Sequence, residues 1–273
     1  WTDITTGEFA VTEFCGVSAV EDTINQLVKL SVAEVICNED MLIASKDLKE
    51  IRHNLLPPFS CYVPWAFNVK HAEKNLLEQF ETLSLAAYGI AGKENSVAAA
   101  GALIEYLRET QKHSLSNINS IRCVDHNRFM VLDSIAVRNL ELVRSNAEGK
   151  KYGSLLWLLD KTKTNMGART LQNWLLNPLN KPEQIEYRLA GVEELYKNTL
   201  IRQSLSEQFR SVRDIGRLAG KISNGNLNPR DCLALAASLE VIPNLKFQLV
   251  GLNAPIISDL LAKVKDFGDI AKL

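Results

Sequence analysis

The stretch "TNMGARTLQNWLLNPL", from Thr164 to Leu179, decides how the second half of the chain is read. The spacing predicts a single helix. Thr164 or Asn165 stands at the N-cap position, and Pro178 stops the helix at its far end. Gly167 in the first turn costs up to about 1 kcal/mol against alanine, which points to close packing of another backbone, or a tight approach, there. Arg169 is placed to reach across to a neighbouring carboxylate. Leu171, Trp174 and Leu175 make an apolar stripe, which predicts that Trp174 is buried between helices.

Outward from this stretch, everything after Asp133 reads as helix. Asp133 fits an N-cap, followed by Ile135, Leu140 and Leu142 among polar residues. Further helices are expected over roughly 154–160, 165–176, 182–197, 199–210, 213–222, 228–241 and 255–266. Pro182, Pro229 and Pro255 fall near helix starts, where a missing N–H does no harm.

Upstream the pattern changes. In residues 1 to about 92 strand and helix signals alternate. "DIT" and "EFAVTEF" flank a "TG" connection, "EVIC" and "SCYV" are short strands, and Ser18 fits an N-cap for "AVEDTINQLVKL". "SKDLKEIRHNL" is helical, with Ser45 as its cap. "NVKHAEKNLLEQF" follows, capped by Asn68. Val69, Ala72, Leu76 and Phe80 share its inner face, which leaves Lys70, Glu73, Lys74 and Glu78 outward. "SVAAAGALIEYLRETQ" is a strong helix with Ser96 at its cap, and its small face (Ala99, Ala100, Gly101) allows a neighbour to approach closely. The turn-rich "KHSLSNINS" marks a boundary between an α/β domain over 1–113 and a mainly helical domain over 114–273. "SIRCVD" and "FMVL" give one last strand pair.

Composition excludes several classes of function. The chain has 31 basic and 32 acidic residues, so no global field draws it to nucleic acid or to an anionic membrane. No apolar run approaches the roughly 18 residues needed to cross a bilayer, so no membrane span is expected. Cys15, Cys37, Cys61, Cys123 and Cys232 contain no C-x-x-C pair, and the four histidines are dispersed; buried free thiols in a reducing compartment are expected, and no metal site. The start on Trp1 without a methionine suggests a piece of a longer polypeptide.

Three motifs imitate chemistry. "GIAGKE" lacks the first glycine and the hydroxyl of a phosphate loop, and Glu94 would repel a phosphate. "GVSAV" lacks the second glycine of a nucleophile elbow. Asp3, before the "TTG" turn, stands where a ribonuclease H-like nuclease carries a metal ligand, but two-metal chemistry needs several convergent carboxylates and none is evident. A basic run (Arg144, Lys150, Lys151, Lys161, Lys163 and Arg169) reads as a solvated face more readily than as a phosphate-contacting patch.

Four segments together carry a resemblance: "DSIAVRNLEL" (133–142), "LLDKTKTNMGARTLQNWLLNPL" (158–179), "IEYRLAGVEEL" (185–195) and "RDIGRLAGKI" (213–222). Their order and spacing, and above all T-x-M-G-x-R-x-L-x-x-W-L-x-x-P-L, resemble the core, or lever, domain of the MutS family of DNA mismatch-repair proteins. The upstream unit is similar to that family's connector domain. The resemblance covers essentially the whole chain and implies a ribonuclease H-like connector followed by a helical lever, without the mismatch-reading, clamp and ATPase domains. It implies framework roles for Asp133, Arg138, Asn139, Thr164, Met166, Gly167, Arg169, Trp174, Pro178, Arg188, Asp214 and Arg217, and no catalytic, cofactor or metal residue. ATP and magnesium would belong to the family's ATPase domain. It further implies a cytoplasmic, bacterial homodimer that binds mismatched DNA as a whole protein, with MutL docking on the connector, where Lys70, Glu73, Lys74 and Glu78 offer a face. A divergent ribonuclease H-like nuclease with a helical appendage and a generic helical scaffold remain as alternatives.

Overall fold

The computed structural model describes residues 1–43, 58–111, 115–125, 128–265 and 267–268. The chain divides into two compact units, Trp1–Asp125 with Ser223–Gly225, and His126–Ile222 with Asn226–Leu273. The helix expected at "SKDLKEIRHNL", with Ser45 as its cap, lies outside the described residues.

In the first unit, β1 (Thr2–Asp3) and β2 (Glu8–Val11) pair antiparallel around the Thr5–Gly7 turn. Helix α1 (Ala19–Leu30) follows, then the parallel pair β3 (Val35–Cys37) and β4 (Phe59–Cys61). Helices α2 (Val69–Gln79) and α3 (Glu94–Thr110) cross beneath, and β5 (Arg122–Cys123) adds parallel to β2. The core joins Phe9 and Val11 of β2 to Leu76 of α2 and Ile104 and Leu107 of α3. At the α2–α3 crossing, a Cβ on Gly101 would stand 2.3 Å from Ala72 Cβ and 2.4 Å from its Cα, so the small face read from the sequence is where the two backbones meet.

Local signals fared unevenly. Asn68 caps α2, accepting from Lys70 N (3.1 Å) and His71 N (3.2 Å). Ser18 precedes α1 as expected, but its hydroxyl donates to Asp22 Oδ2 at 2.8 Å and caps no amide. Ser96 is no cap: α3 starts two residues earlier, and Ser96 is buried within it. The boundary after residue 113 also needs correcting. Leu115, Ile118 and Ile121 are buried in the first unit's core, and Gln79 Nε2 donates to the carbonyls of Leu115 and Ile118, 3.0 Å each. A polar-looking segment thus docks through three spaced apolar side chains. Among the described residues the cysteines are free, but only Cys37 is buried; Cys15, Cys61 and Cys232 are exposed.

The second unit is helical: α4 (Ser134–Asn139), α5 (Leu155–Leu159), α6 (Asn165–Leu176), α7 (Pro182–Lys197), α8 (Thr199–Phe209), α9 (Ile215–Ser223), α10 (Pro229–Glu240), α11 (Ile242–Leu249) and α12 (Pro255–Lys263). Pro182, Pro229 and Pro255 sit in first turns, as expected. Pro243 does the same for α11, a helix the sequence reading passed over. "FMVL" forms no strand; Phe129 makes a single bridge to Leu179, and Met130 N donates to Pro178 O at 2.8 Å. Pro229–Leu249 is long and apolar enough in composition to cross a membrane. It is nevertheless two helices meeting at Val241, and Lys221 pairs with Asp231 at 2.8 Å in the first turn of α10, which suits an amphipathic bundle better than lipid.

Candidate functional site

The framework residues gather around α6. Thr164 caps it, its Oγ1 accepting from Gly167 N at 3.0 Å. A Cβ on Gly167 would press on that same oxygen (3.0 Å) and on Thr162 Cβ (3.4 Å), so the glycine makes room for the cap and for no second helix. One turn on, Arg169 reaches Asp214 with both guanidinium nitrogens, at 2.5 and 3.0 Å. Asp214 also accepts from Arg217 N (3.3 Å) at the start of α9 and faces Arg217 Nε at 3.7 Å. One carboxylate therefore ties α6 to the beginning of α9. Planar two-point pairing of this kind fixes direction as well as distance.

Sequence reasoning missed the next brace. Ser238 in α10 is fully buried; its hydroxyl accepts from Arg213 N at 2.9 Å and donates to Ala234 O at 2.6 Å. A lone serine in "ALAASLE" was the available signal. Glu194 was missed too, and its carboxylate accepts the amides of Asn253 and Ala254 ahead of α12.

A second group lies at α4. Asp133 caps it, accepting from Ala136 N at 2.6 Å, and Val137 and Leu142 pack on Leu176 of α6. Arg138 and Asn139 are exposed, and Met166 and Pro178 are half-buried. Asp133→Ala should lower stability by about 1 kcal/mol through the lost cap; a shift in the urea midpoint at constant slope would show it, and an unchanged midpoint would count against the cap.

Trp174 departs from expectation. It is 40% exposed, while Leu176, two residues on and so on the opposite side of the helix, is buried. The ring is covered on one face by Arg188, whose guanidinium carbon lies 3.9 Å from the ring centroid. Trp174→Ala should therefore cost about 1–2 kcal/mol, since a half-exposed ring leaves little cavity. A loss beyond about 3 kcal/mol in denaturant unfolding would restore the buried assignment.

Three of the six residues in the basic run, Lys150, Lys151 and Arg169, pair with local acids. Lys151 pairs with Asp160 at 2.5 Å and Lys150 with Glu148 at 3.4 Å, while Tyr152 packs on Trp157. Hydrogen bonds from the Lys151 ammonium and the Thr162 hydroxyl pull the Asp160 carboxyl down to about 2, and Arg169 likewise holds Asp214 below the usual carboxylate range. A lowered folded value means that the unfolded chain binds more protons in this window. The stabilisation is complete above the ordinary value of 3.8 and is lost as pH falls towards 2. Urea midpoints at pH 7, 4 and 2.5 should fall mainly between the last two, and Asp160→Asn should flatten that fall.

Asp3 caps its own turn, accepting from Thr5 N (2.9 Å) and Thr5 Oγ1 (2.6 Å). Among the described residues no three His, Cys, Asp or Glu side chains form a metal-holding group. On α2, Lys70, Glu73, Lys74 and Glu78 are exposed, Ala72, Leu76 and Phe80 are buried, and Lys74 pairs with Glu78 at 3.7 Å.

The chain is thus an α/β unit followed by helices braced through caps and a two-point ion pair. Residues 1–119 match the family model for MutS domain II, and residues 135–269 the model for MutS domain III. The chain belongs to the MutS family. It is 35% identical over 271 residues to the DNA mismatch repair protein MutS of Lachnoclostridium phytofermentans, covering 99% of this chain and 29% of that relative. The protein of the same name from Alkaliphilus oremlandii is 36% identical over 275 residues, covering 100% and 31%. The one from Methanosarcina barkeri is 34% identical over 272 residues, covering 99% and 30%. The chain thus spans about three-tenths of the length of the curated relatives it matches.

Proposed function

We propose that these two domains transmit conformational state within a MutS-type mismatch-repair protein, the first as a ribonuclease H-like connector and the second as a lever. The observation that carries this reading is the Asp214 joint, which locks α6 to α9 through Arg169 and Arg217. Packed helices braced in this way move as units between discrete arrangements, which suits coupling between distant sites. In this reading the longer polypeptide supplies an ATPase that takes ATP and magnesium, grips mismatched DNA, and works as a cytoplasmic homodimer; the two domains perform no chemistry. The joint supports a transmission role over a nuclease or an inert scaffold.

The test is hydrogen exchange on a longer polypeptide carrying both domains and bound to mismatched DNA. Adding ATP should change protection across 165–176 and 215–240 together. Protection unchanged in both segments would overturn the lever role. The connector half has its own test. MutL docking is assigned to the α2 face, and Lys70→Glu with Lys74→Glu should weaken it severalfold, mainly through association rate. Undiminished docking by that double variant would remove this face from the contact.

A further inference from the structure

Strand pairing brings two thiols side by side. In the parallel pair of β3 and β4, Cys37 stands directly opposite Cys61. Val35 N donates to Pro58 O at 3.0 Å and Tyr62 N donates to Cys37 O at 2.9 Å, so backbone bonds fix this register. Glu34 fixes it a second time. Its carboxylate accepts from Ser60 Oγ of β4 at 2.8 Å and from Tyr106 Oη of α3 at 2.9 Å. Neighbouring strands run about 4.7–4.9 Å apart, inside the Cα···Cα span of about 4.4–6.8 Å that a disulfide bridges.

The pleat puts both cysteine side chains on one face. Tyr62 turns to α3, its ring centroid 5.4 Å from that of Tyr106. Side chains alternate along a strand, so Cys61 turns to the opposite face, and its registered neighbour Cys37 turns with it. The Cys37 thiol lies against β4 itself. It donates at 3.8 Å to Ser60 O, the carbonyl of the peptide bond that leads into Cys61. The two thiols differ in access: Cys37 is only 5% exposed, and Cys61 is open to solvent. An accessible thiol beside a sheltered one is an arrangement in which the first meets an oxidant and the second resolves the product.

We propose that Cys37 and Cys61 form a peroxide-responsive disulfide site. The Cys61 thiolate attacks one peroxide oxygen, the O–O bond breaks, and Cys61 becomes a sulfenic acid as the first water leaves. The Cys37 thiolate then attacks that sulfur. The S–O bond breaks, and the departing hydroxide takes up the thiol proton as the second water. In sum, two thiols and one hydrogen peroxide give one disulfide and two waters; each sulfur gives up one electron and each peroxide oxygen gains one. A dithiol reductant reverses the linkage. The bond would close residues 38–60 into a covalent loop and hold β3 to β4. The proposal rests on the β3–β4 register and stands whether or not the domains transmit nucleotide state.

The experiment treats a longer polypeptide carrying both domains with hydrogen peroxide, blocks the remaining thiols with N-ethylmaleimide, and maps the cysteines by mass spectrometry. The expected product is an intramolecular Cys37–Cys61 peptide pair that dithiothreitol releases. In Cys37→Ser, Cys61 should be trapped by dimedone as a sulfenic acid. In Cys61→Ser, oxidation of Cys37 should slow at least about tenfold, because the accessible partner is gone. Both variants should keep the parent's far-ultraviolet circular dichroism, and the parent result decides the proposal without either of them. A bond from either cysteine to some other thiol in place of this pair would overturn it. So would Cys61 driven to a sulfinic acid with Cys37 still a thiol, or both thiols left open to N-ethylmaleimide after peroxide.

Discussion

Replacing Gly101 by valine should destabilise the first unit by about 3 kcal/mol or more, at the upper end of what overpacking costs. The position faces Ala72 so closely that even a single Cβ would fall within 2.3–2.8 Å of three Ala72 atoms, two of them backbone. Backbone cannot rotate aside as a side chain can, so α2 and α3 must separate. That separation opens the core around Leu76, Ile104 and Leu107. Denaturant unfolding followed by signals from each unit would resolve the effect. The first unit's midpoint should fall steeply and the second unit's stay in place. A Gly101→Val protein with both midpoints unchanged would mean that the two helices do not cross there.

Asp214→Ala should have the next largest effect, about 2–3 kcal/mol on the second unit, below the range for fully buried pairs because Arg169 is partly in water. The Asp214 side chain is 10% exposed and that of Arg169 40%. Removing the carboxylate takes away both guanidinium contacts to Asp214 and also the acceptor for Arg217 N. Asp214→Asn keeps one acceptor and should cost less. The gap between each variant and the parent should shrink as the pH falls below the ordinary carboxylate range, because protonation of Asp214 takes away the charge that the native pair uses. If Ala and Asn variants unfold at the parent's midpoint, the pair is a surface contact without structural weight.

Much of this was legible in the sequence, for reasons that can be named residue by residue. Thr164, Asp133 and Asn68 cap helices through bonds that span three residues or fewer, so local pattern suffices. Arg169 could be assigned an acidic partner in kind but not in identity, because Asp214 lies 45 residues away and only packing brings it near. Ser96 shows the limit of cap rules: a serine beside an apolar run fits an N-cap equally well when the helix has already begun. Trp174 failed for a related reason. Leu175 of its stripe does pack against the Val137–Leu142–Leu176 cluster, but Trp174 lies at the outer margin, and periodicity does not say which edge of a stripe meets the core. Leu115 and Ile118 were hidden among turn formers, and only their burial against α2 and α3 ties them to the first unit.

The lever account stands or falls on whether the Arg169–Asp214 joint carries state as well as stability. The direct measurement is the rate at which ATP releases a longer polypeptide, carrying both domains, from a mismatched duplex. Arg169→Leu, which leaves Asp214 free to cap α9, is compared with Asp133→Ala, which also lowers stability but leaves the joint whole. The account predicts release slowed about tenfold in Arg169→Leu, a coupling loss within the usual allosteric range, and release at the parent rate in Asp133→Ala. Release at the parent rate in both variants, or equal slowing in both, would contradict it.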